Sequence, residues 1–237
     1  MIIKTEGLVL KCFPYSDTSL IAKVFTRQQG LVSFLIPGGR NSKNRTGNLL
    51  QPTHLVAFEM YWREQRNFQK LNDCRALTIY KSLFTDFSRK AIALFICEIL
   101  AASLPEKEQN EELFNFVLYS MQELDEAEHI PAIYPSVFLL SMSNVLGFYP
   151  STIMPEESTY FDMENGAFVS SGTHLLDKGT SASLKQLLEA HSSGNSYLPV
   201  SSEKRADLLH GLLDYYRWHV PGFKQVRSPE LLHLLLA

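Results

Sequence analysis

The sequence predicts an α+β chain: a small five-stranded barrel at the N-terminus, then an all-helical part carrying a short, irregular β-hairpin insert. Two observations carry that expectation. The spacing of apolar residues changes from a period near two to a period near 3.6 after Tyr80. Net charge changes sign at almost the same place. Residues 1–82 hold 12 Lys and Arg against 5 Asp and Glu, a net of +7, whereas residues 83–237 hold 10 against 20, a net of −10. The whole-chain charge of −3 hides this division. A basic module joined to an acidic one points to a polyanion-binding part beside a part with a different task.

The strand-like half is built from short alternating runs. Ile3 to Lys11 opens it. Leu20, Ala22 and Val24 alternate with Ile21, Lys23 and Phe25, and Leu31, Ser33 and Leu35 alternate with Val32, Phe34 and Ile36. Arg27-Gln28-Gln29-Gly30 lies between these two runs as a hairpin turn, with Gly30 free to take positive φ. His54 to Trp62 and a weaker run, Phe68 to Leu77, complete five strands, with a long turn-rich connection at Pro37 to Asn48. This number of short antiparallel strands suits a closed barrel of the oligonucleotide/oligosaccharide-binding (OB) kind, and an SH3-like barrel reads nearly the same.

Helical spacing follows. Ile92, Phe95, Ile96, Ile99 and Leu100 form one stripe after Ser88 as N-cap. Asn110, Glu111 and Glu112 start a second helix whose buried face is Leu113, Phe116, Val117, Met121 and Leu124. A third runs from Tyr134 to Leu146 and stops at Gly147. Residues 148–180 lose both periods, and Tyr160 to Val169 reads there as a hairpin around Asn165-Gly166. Helices return at Ser183 to His191 and Ser202 to Val220, and Ser228-Pro229-Glu230 caps the last one. The expected domains are residues 1–80 and 81–237, with the insert at about 148–180 of the second.

Several function classes lose support at this level. No stretch reaches 18 apolar residues and the N-terminus is no signal peptide, so a cytoplasmic protein without a membrane segment is expected. Cys12, Cys74 and Cys97 are odd in number and widely spaced, which fits neither a disulfide framework nor a zinc ribbon. The seven histidines show no metal-ligand spacing, and no phosphate-binding glycine motif or G-x-S-x-G occurs. The acids between Glu106 and Glu128 read as solvated helix caps. No cofactor, metal or catalytic residue is expected.

The informative local stretch is Pro37-Gly38-Gly39-Arg40-Asn41-Ser42-Lys43-Asn44-Arg45-Thr46-Gly47. No acid occurs between Asp17 and Glu59. Cations on such a loop can track a phosphate backbone, with Asn and Ser adding hydrogen bonds. Tyr15, Phe34, Tyr61, Trp62 and Phe68 are the aromatics that could stack on bases where exposed, with Arg63 and Arg66 near enough to hold phosphates.

Taken together, Glu6-Gly7-Leu8-Val9-Leu10, Pro14-Tyr15-Ser16-Asp17, Val24-Phe25-Thr26-Arg27 with Gly30, Gly38 through Arg45 and Leu50-Gln51-Pro52 resemble the N-terminal domain of the bacterial recombination mediator family RecO. Weaker similarity continues through Glu112-Leu113-Phe114, Leu146-Gly147-Phe148-Tyr149-Pro150 and Arg227-Ser228. The resemblance implies an OB barrel and a helical domain without catalytic turnover. It also implies binding of single- and double-stranded DNA, annealing of complementary strands, and work with RecR that helps RecA replace the single-stranded-DNA-binding protein in the cytoplasm, associated with the nucleoid. By motif, Arg40, Lys43 and Arg45 are the expected DNA contacts, with Arg27 next; Lys11, Lys23, Arg63 and Arg66 follow from charge and strand position. Many members carry a four-cysteine zinc element after the Gly-Phe-x-Pro turn, but Tyr149 to Gly172 holds no cysteine here, which removes zinc from the expectation. The family's helical domain also engages the acidic tail of the single-stranded-DNA-binding protein, for which a basic, apolar pocket near Arg205 or Arg217 is expected. The alternative is a non-enzymatic adaptor whose basic barrel binds an acidic protein segment.

Overall fold

In a computed structural model, which describes residues 1–41, 43–194 and 200–236, the first 76 residues form a closed antiparallel barrel and the remainder packs as helices against one side of it. The strands are β1 (Ile2–Pro14), β2 (Leu20–Thr26), β3 (Gly30–Ile36), β4 (Leu55–Tyr61) and β5 (Lys70–Ala76), in the spatial order β3-β2-β1-β4-β5. Long β1 serves both neighbours: a bulge between Val9 and Lys11 lets one half pair with β2 while the other pairs with β4. A parallel bridge from Phe34 to Gln69 brings β3 against β5 and closes the ring. This pairing, with a helix between β3 and β4, is the OB arrangement.

Strand alternation decides which side chains go where. Val9, Ala22, Val24, Val32, Phe34, Val56, Phe58 and Met60 fill the barrel interior. Leu8, Leu10, Phe25, Leu31 and Leu55 point outward, and they are buried all the same, because the helical part covers them in a second, larger core. The Pro37 to Asn48 connection is not all loop. Asn44 turns it into the short helix α1 (Arg45–Leu49), its side chain accepting the Gly47 N–H at 3.0 Å.

The helices are α2 (Phe87–Ser103), α3 (Glu111–Glu126), α4 (Tyr134–Val145), α5 (Lys178–Ser192), α6 (Ser202–His219) and α7 (Ser228–Leu235), with β6 (Tyr160–Asp162) and β7 (Ala167–Val169) as the Asn165-Gly166 hairpin. Three sequence expectations need correction. The N-cap of α2 is Asp86, whose carboxylate takes the Ser88 and Arg89 N–H groups, so Ser88 sits inside the helix. Phe114 occupies the fully buried position on α3, and Phe116 is half-buried, because Phe114 packs against Phe25 of β2 with the rings inclined at 59° and 5.4 Å between centroids. Ser228 is the first residue of α7, not its cap, and the capping group comes from Glu98 of α2.

The hairpin is also more than an insert at the surface. Phe161 and Phe168 lie in the main core, and Phe161 meets Tyr215 of α6 edge to face. Among the described residues, no helix is long and apolar enough to cross a membrane. Burial pushes the thiols up, to about 11 for Cys74 and about 12 for Cys97, so neither is a ready nucleophile at neutral pH.

Candidate nucleic-acid interface

Three loops meet at one end of the barrel, and backbone-directed hydrogen bonds hold them there. Residues 15–19 join β1 to β2, residues 37–44 lead into α1, and residues 62–69 join β4 to β5. Arg40 ties the second loop to the first: its N–H donates to the Thr18 carbonyl at 3.0 Å and its guanidinium to the Ser16 carbonyl at 3.1 Å. Gly47 must lack a side chain, since a Cβ there would stand 2.3 Å from the Gly39 carbonyl oxygen, and this contact seats α1 on the loop. The third loop is clamped by buried Gln69. Its amide accepts from the Arg63 N–H at 2.8 Å and donates to the Arg63 and Arg66 carbonyls at 2.8 and 3.0 Å.

A groove runs between the second and third loops, lined by Leu35, Asn44, Thr46, Arg66, Phe68 and Lys70 among others, and no described Asp or Glu lines it. Leu35 locates it on the outer face of β3, the side of β2–β3 that OB barrels use for oligonucleotides. Phe25 and Leu31, at the other end of that face, are buried under the helical part, so only the loop end remains open.

The expected site residues divide into two groups. Arg40, Lys43 and Arg45 are exposed; Lys43 and Arg45 flank Asn44 and Thr46, which form one groove wall. Arg63 and Arg66 are exposed on the facing loop. Ser42 lies outside the described residues. The second group sits elsewhere. Lys11 and Lys23 are opposite each other on β1 and β2, but Lys23 is paired with Glu106 at 2.8 Å and Lys11 lies near the Glu98 carboxylate. Arg27 is held by both halves of the chain. It bonds Glu6 at 2.5 Å, Glu111 at 3.2 Å and Asn115 at 2.6 Å, with its guanidinium 4.7 Å above the Phe114 ring, and it thereby fastens the barrel to α3. Glu106, on the segment between α2 and α3, and Glu111, in the first turn of α3, are therefore ion-paired struts.

Lys70 also lines the groove, and its position directly after Phe68-Gln69, in a run with only weak strand alternation, carries no local signal of that role. Of the five aromatics, Phe34 is sealed in the barrel against Phe58 and Trp62 packs on the same core. Tyr15, Tyr61 and Phe68 are exposed.

The helical part has a groove of its own between α4, α6 and α7, lined by Pro135, Arg205, Leu209, Leu232, His233 and Leu236. Arg205 bridges the Val200 and Leu236 carbonyls at 2.9 and 2.6 Å. Arg217 pairs with Asp214 on the exposed side of α6 and does not line it. At the hairpin, where the sequence resemblance would place a zinc element, the residues do not fit the metal. Asp162 is spent on the Glu164 and Asn165 N–H groups and the Asn165 side chain, and Phe161 and Phe168 occupy the interior. All three cysteines are in the barrel or α2.

Comparison with known proteins meets this geometry at both halves. Residues 1–80 match the family model for the recombination protein O N terminal, and residues 85–228 match that for its C terminal. The chain belongs to the RecO family. Among curated relatives, it is 33% identical to the DNA repair protein RecO of Phocaeicola vulgatus, with 100% of both chains covered. It is 30% identical to the RecO proteins of Bacteroides fragilis and Flavobacterium psychrophilum, with 98% of each chain covered. Membership in RecO carries a role in DNA repair and recombination, and it agrees with an OB barrel followed by helices.

Proposed function

We propose that this RecO-family chain is a non-enzymatic mediator that binds single- and double-stranded DNA at the loop end of its barrel and anneals complementary strands. With RecR, it helps load RecA onto DNA coated by the single-stranded-DNA-binding protein, in the cytoplasm and at the nucleoid. The observation that supports this most directly is the groove, with no Asp or Glu among its described lining residues, that lies between the segment bearing Arg40, Lys43 and Arg45 and the loop bearing Arg63 and Arg66. Exposed cations gain little individually in water, but each phosphate they neutralise releases counterions, so several in register bind DNA usefully. Lys70 joins this set. Lys11, Lys23 and Arg27 move out of it, since carboxylates of the barrel and the helical part already engage or crowd them.

Strand annealing asks for a surface that holds phosphates and leaves base edges free, and cations on loop tips meet that requirement. For the acidic tail of the single-stranded-DNA-binding protein, the Arg205 groove is the proposed seat, since it combines a guanidinium with Leu209, Leu232 and Leu236. The deciding experiment is annealing of oligonucleotides coated with that protein. Wild type should anneal them, and the Arg40→Ala, Lys43→Ala, Arg45→Ala triple variant should lose most of that activity. Equal annealing by both would remove the assigned surface. Absence of any DNA shift at low salt, with capture of acidic proteins insensitive to nuclease, would favour the adaptor reading instead.

A further inference from the structure

Two aromatic rings stand out against the packing of the barrel. Tyr15, from the β1–β2 loop, is 58% exposed, and Phe68, from the β4–β5 loop, is 36% exposed. Their centroids are 5.9 Å apart with planes inclined at 56°, so the rings meet across the gap between two loops and neither is covered by core. Phe68 lines the groove together with Arg66 and Lys70, and Arg40 is bonded to the same loop that carries Tyr15. The pair thus lies between the two sets of cations.

From this placement we infer that Tyr15 and Phe68 form a base-stacking platform that makes the groove select unpaired strands. The inference rests on the DNA-binding reading above and deepens it. Rings and cations together point to nucleic acid: an acidic protein segment would gain from the cations without a flat ring beside each charge, whereas a single strand offers phosphates at the groove walls and a π face between them. In duplex DNA the base faces are stacked on one another and cannot reach the rings, so only the cations act on it. Stacking is sequence-tolerant because every base has a π face, which suits a protein that must bind arbitrary gaps.

The test measures affinity at low and moderate salt for a deoxythymidine oligonucleotide, an abasic strand with the same number of phosphates, and a duplex. Four proteins are compared: wild type, Tyr15→Leu with Phe68→Leu, Tyr15→Phe with Phe68→Trp, and the Arg40, Lys43, Arg45 triple alanine variant. Leucine keeps an apolar contact between the loops, and thermal unfolding verifies that the fold survives. The leucine pair should weaken deoxythymidine binding roughly tenfold or more, leave duplex and abasic binding within about twofold, and abolish the preference for bases over abasic sites. The Tyr15→Phe with Phe68→Trp variant should restore it. Unchanged deoxythymidine affinity in the leucine pair, while the triple variant weakens all three ligands, would overturn the platform and leave the DNA-binding reading standing. A wild-type protein that binds none of the three would overturn both.

Discussion

Glu98 of α2 caps α7 from outside that helix: its carboxylate accepts the Ser228 N–H at 2.9 Å, the Ser228 hydroxyl at 2.5 Å and the Arg227 N–H at 3.0 Å. Arg227 itself supplies no side-chain cap. A helix start leaves N–H groups unpaired, and here a carboxylate 130 residues earlier in the chain satisfies them. Burial favours the neutral acid, but the Ser228 and Arg227 donors and the nearby Lys11 charge outweigh it, and the Glu98 carboxyl is held below its ordinary value of 4.5.

Glu98→Ala should therefore destabilise the protein by about 2 kcal/mol, the scale of a lost cap with hydrogen bonds to a charged group. In a chain of this size that is a fall in Tm of about 4–8 °C. Because the folded-state value is lowered, the stabilisation is complete above the ordinary carboxylate range and is lost as pH falls through the folded value. The Tm gap between wild type and Glu98→Ala should be constant at neutral pH and narrow below pH 4.5. A gap that widens in acid would contradict the assignment.

Arg27 presents the opposite expectation to a DNA contact. Arg27→Ala would leave Glu6 and Asn115 without their guanidinium partner at the junction of β2 and α3. A cost of about 1–3 kcal/mol is expected in urea unfolding, and single-strand affinity should remain within about twofold of wild type. A large drop in affinity with unchanged stability would return Arg27 to the binding surface.

Gly30 answers two demands at once. It turns the β2–β3 hairpin at φ +60°, and an added Cβ would meet the Glu108 carbonyl oxygen at 2.0 Å, where the 104–110 segment lies on β3. Gly30→Ala should cost well over about 1 kcal/mol, since strain and backbone displacement add. Chemical denaturation would show it, and near-neutral behaviour would mean that the segment can move aside.

Salt dependence separates the exposed cations from the paired ones. If Arg40, Lys43 and Arg45 each neutralise one phosphate, the triple alanine variant should make the slope of log affinity against log salt shallower by about 2, at roughly 0.7 per phosphate on single strands. Arg27→Ala should leave the slope unchanged. Parallel slopes for wild type and triple variant would exclude these residues as phosphate contacts.

Features with local causes are written in the chain. Period-two runs place all five barrel strands because successive side chains of a strand take opposite faces, and Gly30, Gly147 and Gly166 mark turns through their freedom to take positive φ. Asn110 caps α3 as its neighbours require. The basic loop was legible in the same way, as cations without nearby acids. What those charges meet depends on the folded arrangement. Arg27 and Lys23 resemble Arg40 in one dimension, yet Glu111 and Glu106 reach them from more than 80 residues away. The cap of α7, the burial of Phe25 under α3 and the meeting of Tyr15 with Phe68 likewise depend on segments distant in sequence. Electrostatic pairing and ring contact are set by separation in space over a few ångströms, and a periodic pattern reports which face a residue takes, not which residue faces it.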